Sequence, residues 1–501
     1  MQSARVLPSM SIKHWSGAAL GLALCTTVLT ACSVSDNSSN QGAAAAASPE
    51  LDGAWKSGTE QQLRDAIAGA SVHGLSPELF LKGGEKGPAL TQAALKYASA
   101  LANGYADPNK LHDVYTIPRN KVDVRQGLQQ ALQNGDVKSW LGSLAPQTDE
   151  YRALGQAYVR FGQLASKVQY QPVADGKPIN PGKSDPRIPQ IVTALSAVGY
   201  LAPAPASGPG AQPAQASSTY SPELVSAVKK VQGEFGFKQD GIIGGDTLDA
   251  LNADPAYRAR QIAVAMERLR WLQRTPPATR IDVNTASAIL HYWRDGKMVD
   301  TRNVVVGEPD KPTPQLQAPI YRLVAKPTWT VPKGIGEKEI ADKGAQWMKD
   351  NNFIMKDGLY VQQSGPKNSL GLVKFDMDDD QAIYLHDTPA KALFDLPERH
   401  RSHGCVRVQN ALQFATMLAT DQGIADEFQQ AMQKEGDQIF VKMPKNLPVR
   451  LLYQTVFWDG SGIRFRPDFY GWDENIARAL GLAQGPPHKI RQPQSSDDIG
   501  P

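Results

Sequence analysis

Apolar residues recur at helical spacing through the first third of the chain. In 91–101, Ala94, Leu95, Ala98 and Leu101 share one helix face, and Gly104 follows as a stop. This pattern predicts a helical scaffold domain over residues 50–180. A second helical unit is predicted over 185–253. Its first helix starts at Asp185-Pro186, carries Ile188, Ile191, Val192, Leu195 and Val198, and ends at Gly199. Its second starts at Ser221-Pro222, turns Leu224, Val228, Val231 and Phe235 inward, and stops at Gly236; a short third turn runs through Thr247, Leu248 and Leu251. Between the first two helices, the Pro/Ala/Gly-rich stretch 202–219 reads as a flexible insertion.

From 256 to 475 the period shortens towards two. Strand-like runs at 288–292 and 302–306 flank the turn residues Asp295-Gly296; others fall at 383–386 and 438–442, and 451–457 with 463–465 reads as a hairpin around Asp459-Gly460. One helical stripe, Ala411, Leu412, Ala415 and Leu418, follows Cys405. The pattern predicts a multidomain α+β protein whose mostly β domain, largely antiparallel, occupies 256–475 and is followed by a tail over 476–501.

The N-terminal end follows a different logic. Arg5, Lys13 and His14 precede an apolar run over 18–29, too short to span a bilayer comfortably and closing in small residues. Residues 1–31 therefore read as a secretion signal. Leu29-Thr30-Ala31-Cys32 resembles a bacterial lipobox, which implies a lipidated Cys32 and a periplasmic protein held to a membrane, the outer one favoured by Ser33. An ordinary signal cleaved nearby, with Cys32 incidental, is the alternative. Residues 32–49, rich in Ser, Asn, Ala and Gly, read as a tether. A net charge of +3 over 501 residues offers no electrostatic footprint for nucleic acid.

With Cys25 and Cys32 assigned to the signal and its cleavage point, the third cysteine, Cys405, is left without a disulfide partner in an exported chain. It sits in Ser402-His403-Gly404-Cys405-Val406-Arg407. A cysteine attacks an amide as its thiolate, with a proton acceptor and donors for the oxyanion. His386, His403 and the start of the following helix are candidates for lowering the thiol pKa. Gly404 lets backbone amides approach closely, and Arg407, two residues on and on the same side of a strand, suits a carboxylate. Ser402 reads as a turn-stabilising hydroxyl, His400 as a solvated member of the run Glu398-Arg399-His400-Arg401, and His73 as a structural or surface histidine.

Tyr384-Leu385-His386-Asp387-Thr388-Pro389 with Ser402-His403-Gly404-Cys405-Val406-Arg407-Val408 resembles the signature of the L,D-transpeptidase (YkuD-type) catalytic domain. The likeness extends to Thr313-Pro314, to Pro327-Thr328-Trp329-Thr330-Val331-Pro332 and to 365–375. The unit ending at Thr247-Leu248-Asp249-Ala250-Leu251-Asn252 resembles the three-helix peptidoglycan-binding domain, although Gly245 stands where proline is usual. The domain order is similar to the large YcbB-type subgroup.

The resemblance implies that Cys405 is the acylated nucleophile and His386 the proton acceptor and donor, its ring oriented by the backbone carbonyl that follows it. His403 and the Gly404 and Cys405 amides would stabilise the oxyanion, and Arg407 would contact the diaminopimelate carboxylate. Tyr384, Asp387 and Ser402 would border the substrate, and a cap over about 323–372 would bring Trp329 to it as a wall. Gln362-Gln363-Ser364 departs from the commoner cap sequence.

The implied function is 3→3 cross-linking of peptidoglycan by acyl transfer from tetrapeptide stems with loss of D-Ala. No cofactor or metal is implied, and carbapenems would acylate the thiol. Hydrolysis of the same acyl-enzyme, attachment of a protein to the wall, and a non-catalytic wall-binding lipoprotein are the alternatives. A zinc peptidase using His386, His403 and Cys405 is disfavoured, because His-x-Cys on a tight turn converges poorly on a metal and no His-Glu-x-x-His occurs.

Overall fold

The computed structural model describes residues 49–167, 170–202, 217–436, 438–483 and residue 500. The signal, Cys32, the tether and most of the 202–219 insertion lie outside the described residues. The helical scaffold comprises Ser57–Ala68, Pro88–Asn103, Val124–Asn134, Val137–Leu144 and Asp149–Ala165. Ala94, Ala98 and Leu101 are buried on the Pro88–Asn103 helix as their spacing requires. The second unit has helices Ile188–Ala197, Pro222–Phe235 and Gly245–Leu251, with Ser221 capping the second and Gly236 closing it in the left-handed conformation.

Both helical units meet the β-domain around the helix Pro255–Trp271, which is buried on nearly every side and touches the scaffold helices Asp149–Ala165 and Pro88–Asn103. Such a helix carries no amphipathic stripe. Its fully buried Glu267 and Arg270 are tolerated because each is satisfied. Glu267 accepts from Ala106 N (2.7 Å) and from Arg270 Nη2 (2.6 Å), while Arg270 Nη1 donates to His73 O (2.6 Å) and Tyr151 Oη (2.9 Å). His73 is thus structural, through its carbonyl. The same helix binds the start of the expected tail. Asp473–Ala479 is a helix with Ile476 and Ala477 buried, tied by Arg268 Nη1 to Asp473 Oδ1 at 2.5 Å. Residues 476–483 therefore belong to the folded body, because the spacing of Ile476, Ala477 and Leu480 makes one apolar face.

The β-domain strands are β1 (Arg280–Asn284), β2 (Ile289–Arg294), β3 (Lys297–Gly307), β4 (Leu316–Ala325), β5 (Trp329–Thr330), β6 (Phe353–Lys356), β7 (Leu359–Gln362), β8 (Val373–Met377), β9 (Leu385–His386), β10 (His400–Ser402), β11 (Val406–Val408) and β12 (Ile439–Leu452). The main sheet runs β10-β3-β11-β9-β8-β4-β12-β1-β2, and β2 also pairs with β3, so the sheet closes on itself. Three of its pairings are parallel, β1 with β12, β11 with β9 and β10 with β3. The sheet is therefore more mixed than its short alternating runs suggest. Inside lies an apolar core to which Phe414, Ala415 and Leu418 of the Ala411–Asp421 helix contribute.

Between β4 and β8 the chain leaves the sheet and builds a cap. Its three strands, in the order β5-β7-β6, cover a small core of Trp329, Val331, Ile340, Phe353 and Leu370. Gln362 stitches the base of the cap, with Nε2 donating to Asn351 O and Lys367 O and Oε1 accepting from Ser369 N at 2.8 Å.

Candidate active site

The site follows from strand register. β11 runs parallel to β9 with Val406 opposite Leu385 and Arg407 opposite His386, and Val406 N donates to Tyr384 O at 3.1 Å. Residues two apart on a strand share a face. His386 and Arg407 therefore lie on one face, while Leu385 and Val406 enter the core from the other; Tyr384 and Cys405, each just before its strand, contact one another and border that core. Antiparallel β8 sets Lys374 opposite His386, which adds it to the same face. Its Nζ lies 4.0 Å from the centre of the Tyr384 ring and 2.7 Å from Asp376 Oδ1.

His386 is completely buried. Its Nδ1 is 2.5 Å from Asp387 O, the carbonyl that follows it, which places the proton on Nδ1 and leaves Nε2 as the acceptor. Nε2 has no hydrogen-bond partner among the described residues. Burial, then the Arg407 guanidinium, holds the imidazole well below its usual pKa.

Cys405, 6 % exposed, has Sγ 3.8 Å from Ala382 O and hydrogen-bonds the Tyr384 side chain. Burial pushes its thiol up to about 11, against the opposing pull of Tyr384 and Lys374. The expected depression of the thiol pKa is thus reversed. Desolvation of an anion outweighs the neighbours that stabilise it, and at neutral pH the resting pair is a neutral thiol and a neutral imidazole. The helix Ala411–Asp421 begins instead at a separate cavity lined by Asp387, Thr388 and Lys391.

The loop before Cys405 is held by its own polar groups. Ser402 Oγ donates to Cys405 O at 2.6 Å and accepts from Gly404 N at 3.2 Å. Thr313 Oγ1 donates to Gly404 O at 2.8 Å, and Gly404 takes φ +116°, a conformation open to glycine. Ser402 is a staple of the loop, and the Gly404 amide is already engaged with it. His403 Nε2 lies 2.5 Å from Glu339 Oε1 on the cap, while its Nδ1 is buried without a partner among the described residues.

Trp329 is 1 % exposed and packs against Phe353 in the cap core, with one edge towards Tyr384. Its place is the body of the cap. The Asp387 carboxylate, 3 % exposed, accepts from Leu372 N at 3.0 Å and pairs with Lys391, so it braces the strand end that carries His386. Arg407 is buried, and Gly500 lies against it: a Cβ there would come 2.9 Å from Nη2. His400 is buried as well. Its Nε2 bonds Thr285 O (2.9 Å), its Nδ1 bonds Glu398, and its ring lies 4.1 Å from that of Phe469. The expectation of a solvated His400 fails because β10 pairs with β3 and draws the charged run inside. Local sequence does not single out Lys374 or Glu339: Lys374 falls inside the 365–375 segment without distinction, and nothing in its surroundings marks Glu339. Among the described residues, no three His, Cys, Asp or Glu side chains converge as a metal site.

Residues 278–441 match the family model of the L,D-transpeptidase catalytic domain, YkuD. Residues 52–157 match a scaffold-domain model, and 184–251 a model described as a peptidoglycan-binding domain. The chain therefore carries a YkuD L,D-transpeptidase catalytic domain together with a scaffold and a peptidoglycan-binding domain. A Haemophilus influenzae protein provisionally named an L,D-transpeptidase is 28 % identical over 219 residues, 39 % of this chain and 45 % of that protein; the chain thus spans about half of that relative's length. Among solved structures, an L,D-transpeptidase from Xylanimonas cellulosilytica is 16 % identical, with 56 % of this chain and 98 % of that one covered at a TM-score of 0.21. One from Stackebrandtia nassauensis is 15 % identical, with 56 % and 97 % covered at a TM-score of 0.22.

Proposed function

We propose that this protein is a peptidoglycan L,D-transpeptidase acting through an acyl-enzyme on Cys405 and forming 3→3 cross-links. The observation that carries the reading is the parallel pairing that sets Arg407 opposite His386 and brings the preceding Cys405 and Tyr384 into contact beneath the cap, with His386 held in the tautomer that leaves Nε2 basic. Sγ attacks the carbonyl at the L-centre of diaminopimelate while the thiol proton passes to His386 Nε2. The oxyanion falls to the Cys405 amide and the His403 ring. Collapse breaks the C–N bond, His386 returns the proton to the amine of departing D-Ala, and a thioester remains. The side-chain amine of a second stem then attacks the thioester, giving its proton to His386. The C–S bond breaks and the thiol is restored.

Arg407 binds a stem carboxylate, and the cap excludes the water that would otherwise hydrolyse the thioester. The fused peptidoglycan-binding domain supports a wall substrate. Lipidation of Cys32 and a periplasmic, membrane-held location complete the proposal.

Mass spectrometry of the protein after a carbapenem, and separately after disaccharide-tetrapeptide, tests it. The expected result is an adduct on Cys405 with the carbapenem, absent in Cys405→Ser, and a dimeric muropeptide with the tetrapeptide. A tripeptide alone would make it a carboxypeptidase. Absence of both adduct and product would refute an enzymatic role.

A further inference from the structure

The peptidoglycan-binding unit and the catalytic domain enclose a second cavity, of about 410 Å³, away from Cys405. Phe235 and Phe237 line it from the helical unit, Phe469 and Arg466 from the catalytic domain, and Gln261 from the helix Pro255–Trp271. Two contacts show that the boundary is built. Arg466 Nη1 donates across it to Glu234 O at 3.2 Å, and a Cβ on Gly236 would fall 2.6 Å from the Arg466 guanidinium carbon. Gly236, at φ +76°, is the residue that both ends its helix and makes room for the arginine.

The polar groups of this cavity divide into those already used and those left over. Arg399 donates to Val304 O, Leu396 O, Ser287 O and Ala288 O, and both ring nitrogens of His400 are bonded, so these two are wall. Gln261 is different. It is 2 % exposed, and its side-chain amide makes no hydrogen bond among the described residues, which is costly for a buried amide unless a ligand or water fills the need. Among the described residues, Arg466 makes hydrogen bonds only through Nη1, to Glu234 O and Phe465 O. Asp246, Asp249, Glu398 and Asp468 stand against the arginines in the lining. A cavity with apolar ring faces, an unpartnered side-chain amide, spare guanidinium donors and no dominant charge suits a neutral ligand that both donates and accepts hydrogen bonds. A hexose bearing an acetamido group has that chemistry: its C–H face lies on aromatic carbon, its amide N–H meets Gln261, and its hydroxyls meet arginine and carboxylate.

We propose that this cavity is a saccharide subsite for an N-acetylated amino sugar, which on the peptidoglycan reading above belongs to the glycan strand bearing the stem peptide. The strand is then gripped by both domains at once. Arg401, on the cavity wall, is two residues from His403, so the grip is covalently adjacent to the loop that carries the nucleophile.

The test compares two acyl donors, the disaccharide-tetrapeptide and the same tetrapeptide without sugars, and measures chitotetraose binding by saturation-transfer NMR. The wild type is expected to bind chitotetraose and to prefer the sugar-bearing donor at least tenfold in kcat/KM. Gln261→Leu and the less buried Phe237→Ala are each expected to abolish chitotetraose binding and bring that preference near unity, the change lying in KM. Equal use of both donors by the wild type, or sugar binding unaffected in both variants, overturns the proposal. So does loss of affinity for free tetrapeptide with sugar binding intact, which would make the cavity a peptide site. Failure of Cys405 to acylate at all would instead remove the transpeptidase reading, while chitotetraose binding would still report on the cavity.

Discussion

Glu339 of the cap and His403 of the loop before Cys405 are joined by a hydrogen bond of 2.5 Å, and the same carboxylate lies 3.6 Å from Lys311, which also pairs with Glu308. The cap is thereby tied to the loop that presents Cys405. A partly exposed hydrogen bond of this kind contributes about 0.5–1 kcal/mol, enough to shift a cap equilibrium a few-fold. Glu339→Gln should therefore raise hydrogen–deuterium exchange in 333–360 and change the acylation rate by less than about tenfold. Unchanged exchange would show that the contact does not restrain the cap.

The pH behaviour of the thiol is a sharper matter. Cys405 sits at about 11 and His386 well below its usual value, both because burial disfavours their charged forms. Between those limits neither group changes charge. Alkylation of Cys405 by iodoacetamide, which needs the thiolate, should rise about tenfold per pH unit from 7 to 10 without levelling. A plateau near pH 7 would show a preformed thiolate–imidazolium pair. The linkage to stability has a definite sign as well. The folded thiol stays protonated where the unfolded one has ionised, so its contribution is full below about pH 9 and declines as pH rises towards 11.

The Tyr384 hydroxyl bonds the thiol and favours its ionised form. Tyr384→Phe removes that one polar partner while keeping the ring against Lys374 and His386. Carbapenem acylation of Cys405 should slow by roughly fivefold, the effect of about 1 kcal/mol, with little change in melting temperature. An unaltered rate would leave Tyr384 a packing residue.

Gly404 holds φ +116° and a Cβ placed there would make only ordinary van der Waals contacts, the nearest atom being Ile383 Cδ1 at 3.5 Å. Gly404→Ala should thus act through backbone strain of about 1–3 kcal/mol rather than through a clash. We expect loss of most Cys405 acylation in a protein that still folds, checked by adduct formation and thermal melting side by side.

Gly371 gives the contrasting case. A Cβ there would come within 2.4 Å of Asp387 Oδ2, in the brace that holds the end of β9. Gly371→Ala should lower both the melting temperature and the acylation rate, because displacing Asp387 moves the carbonyl that orients His386. Normal stability with normal acylation would show that the brace yields without consequence.

Much of this architecture was legible in local pattern. The Ile188, Ile191, Leu195 stripe is the helix Ile188–Ala197, and Asp459-Gly460 does turn between strands, although the first of them is 456–458 and not 451–457, residues 451 and 452 ending β12 instead. The helix Pro255–Trp271 was not legible as an element in its own right, because a helix surrounded by protein needs no polar face and hides its charges in pairs such as Glu267 and Arg270. The burial of His400 was missed for a related reason. A charged run reads as solvated until a parallel partner strand and a neighbouring domain enclose it.

The candidate site divides along the same line. The signature around Cys405 and His386 pointed to the candidate reacting groups and their proposed class, because it is carried by two short segments, 384–389 and 402–408. Strand register, a relation between distant segments, brought Lys374 to their face, and the cap brought Glu339 to His403. The sequence alone established which atoms are chemically able to react. Their protonation states were decided by the tertiary structure, since desolvation depends on how much protein surrounds a group and not on its neighbours along the chain.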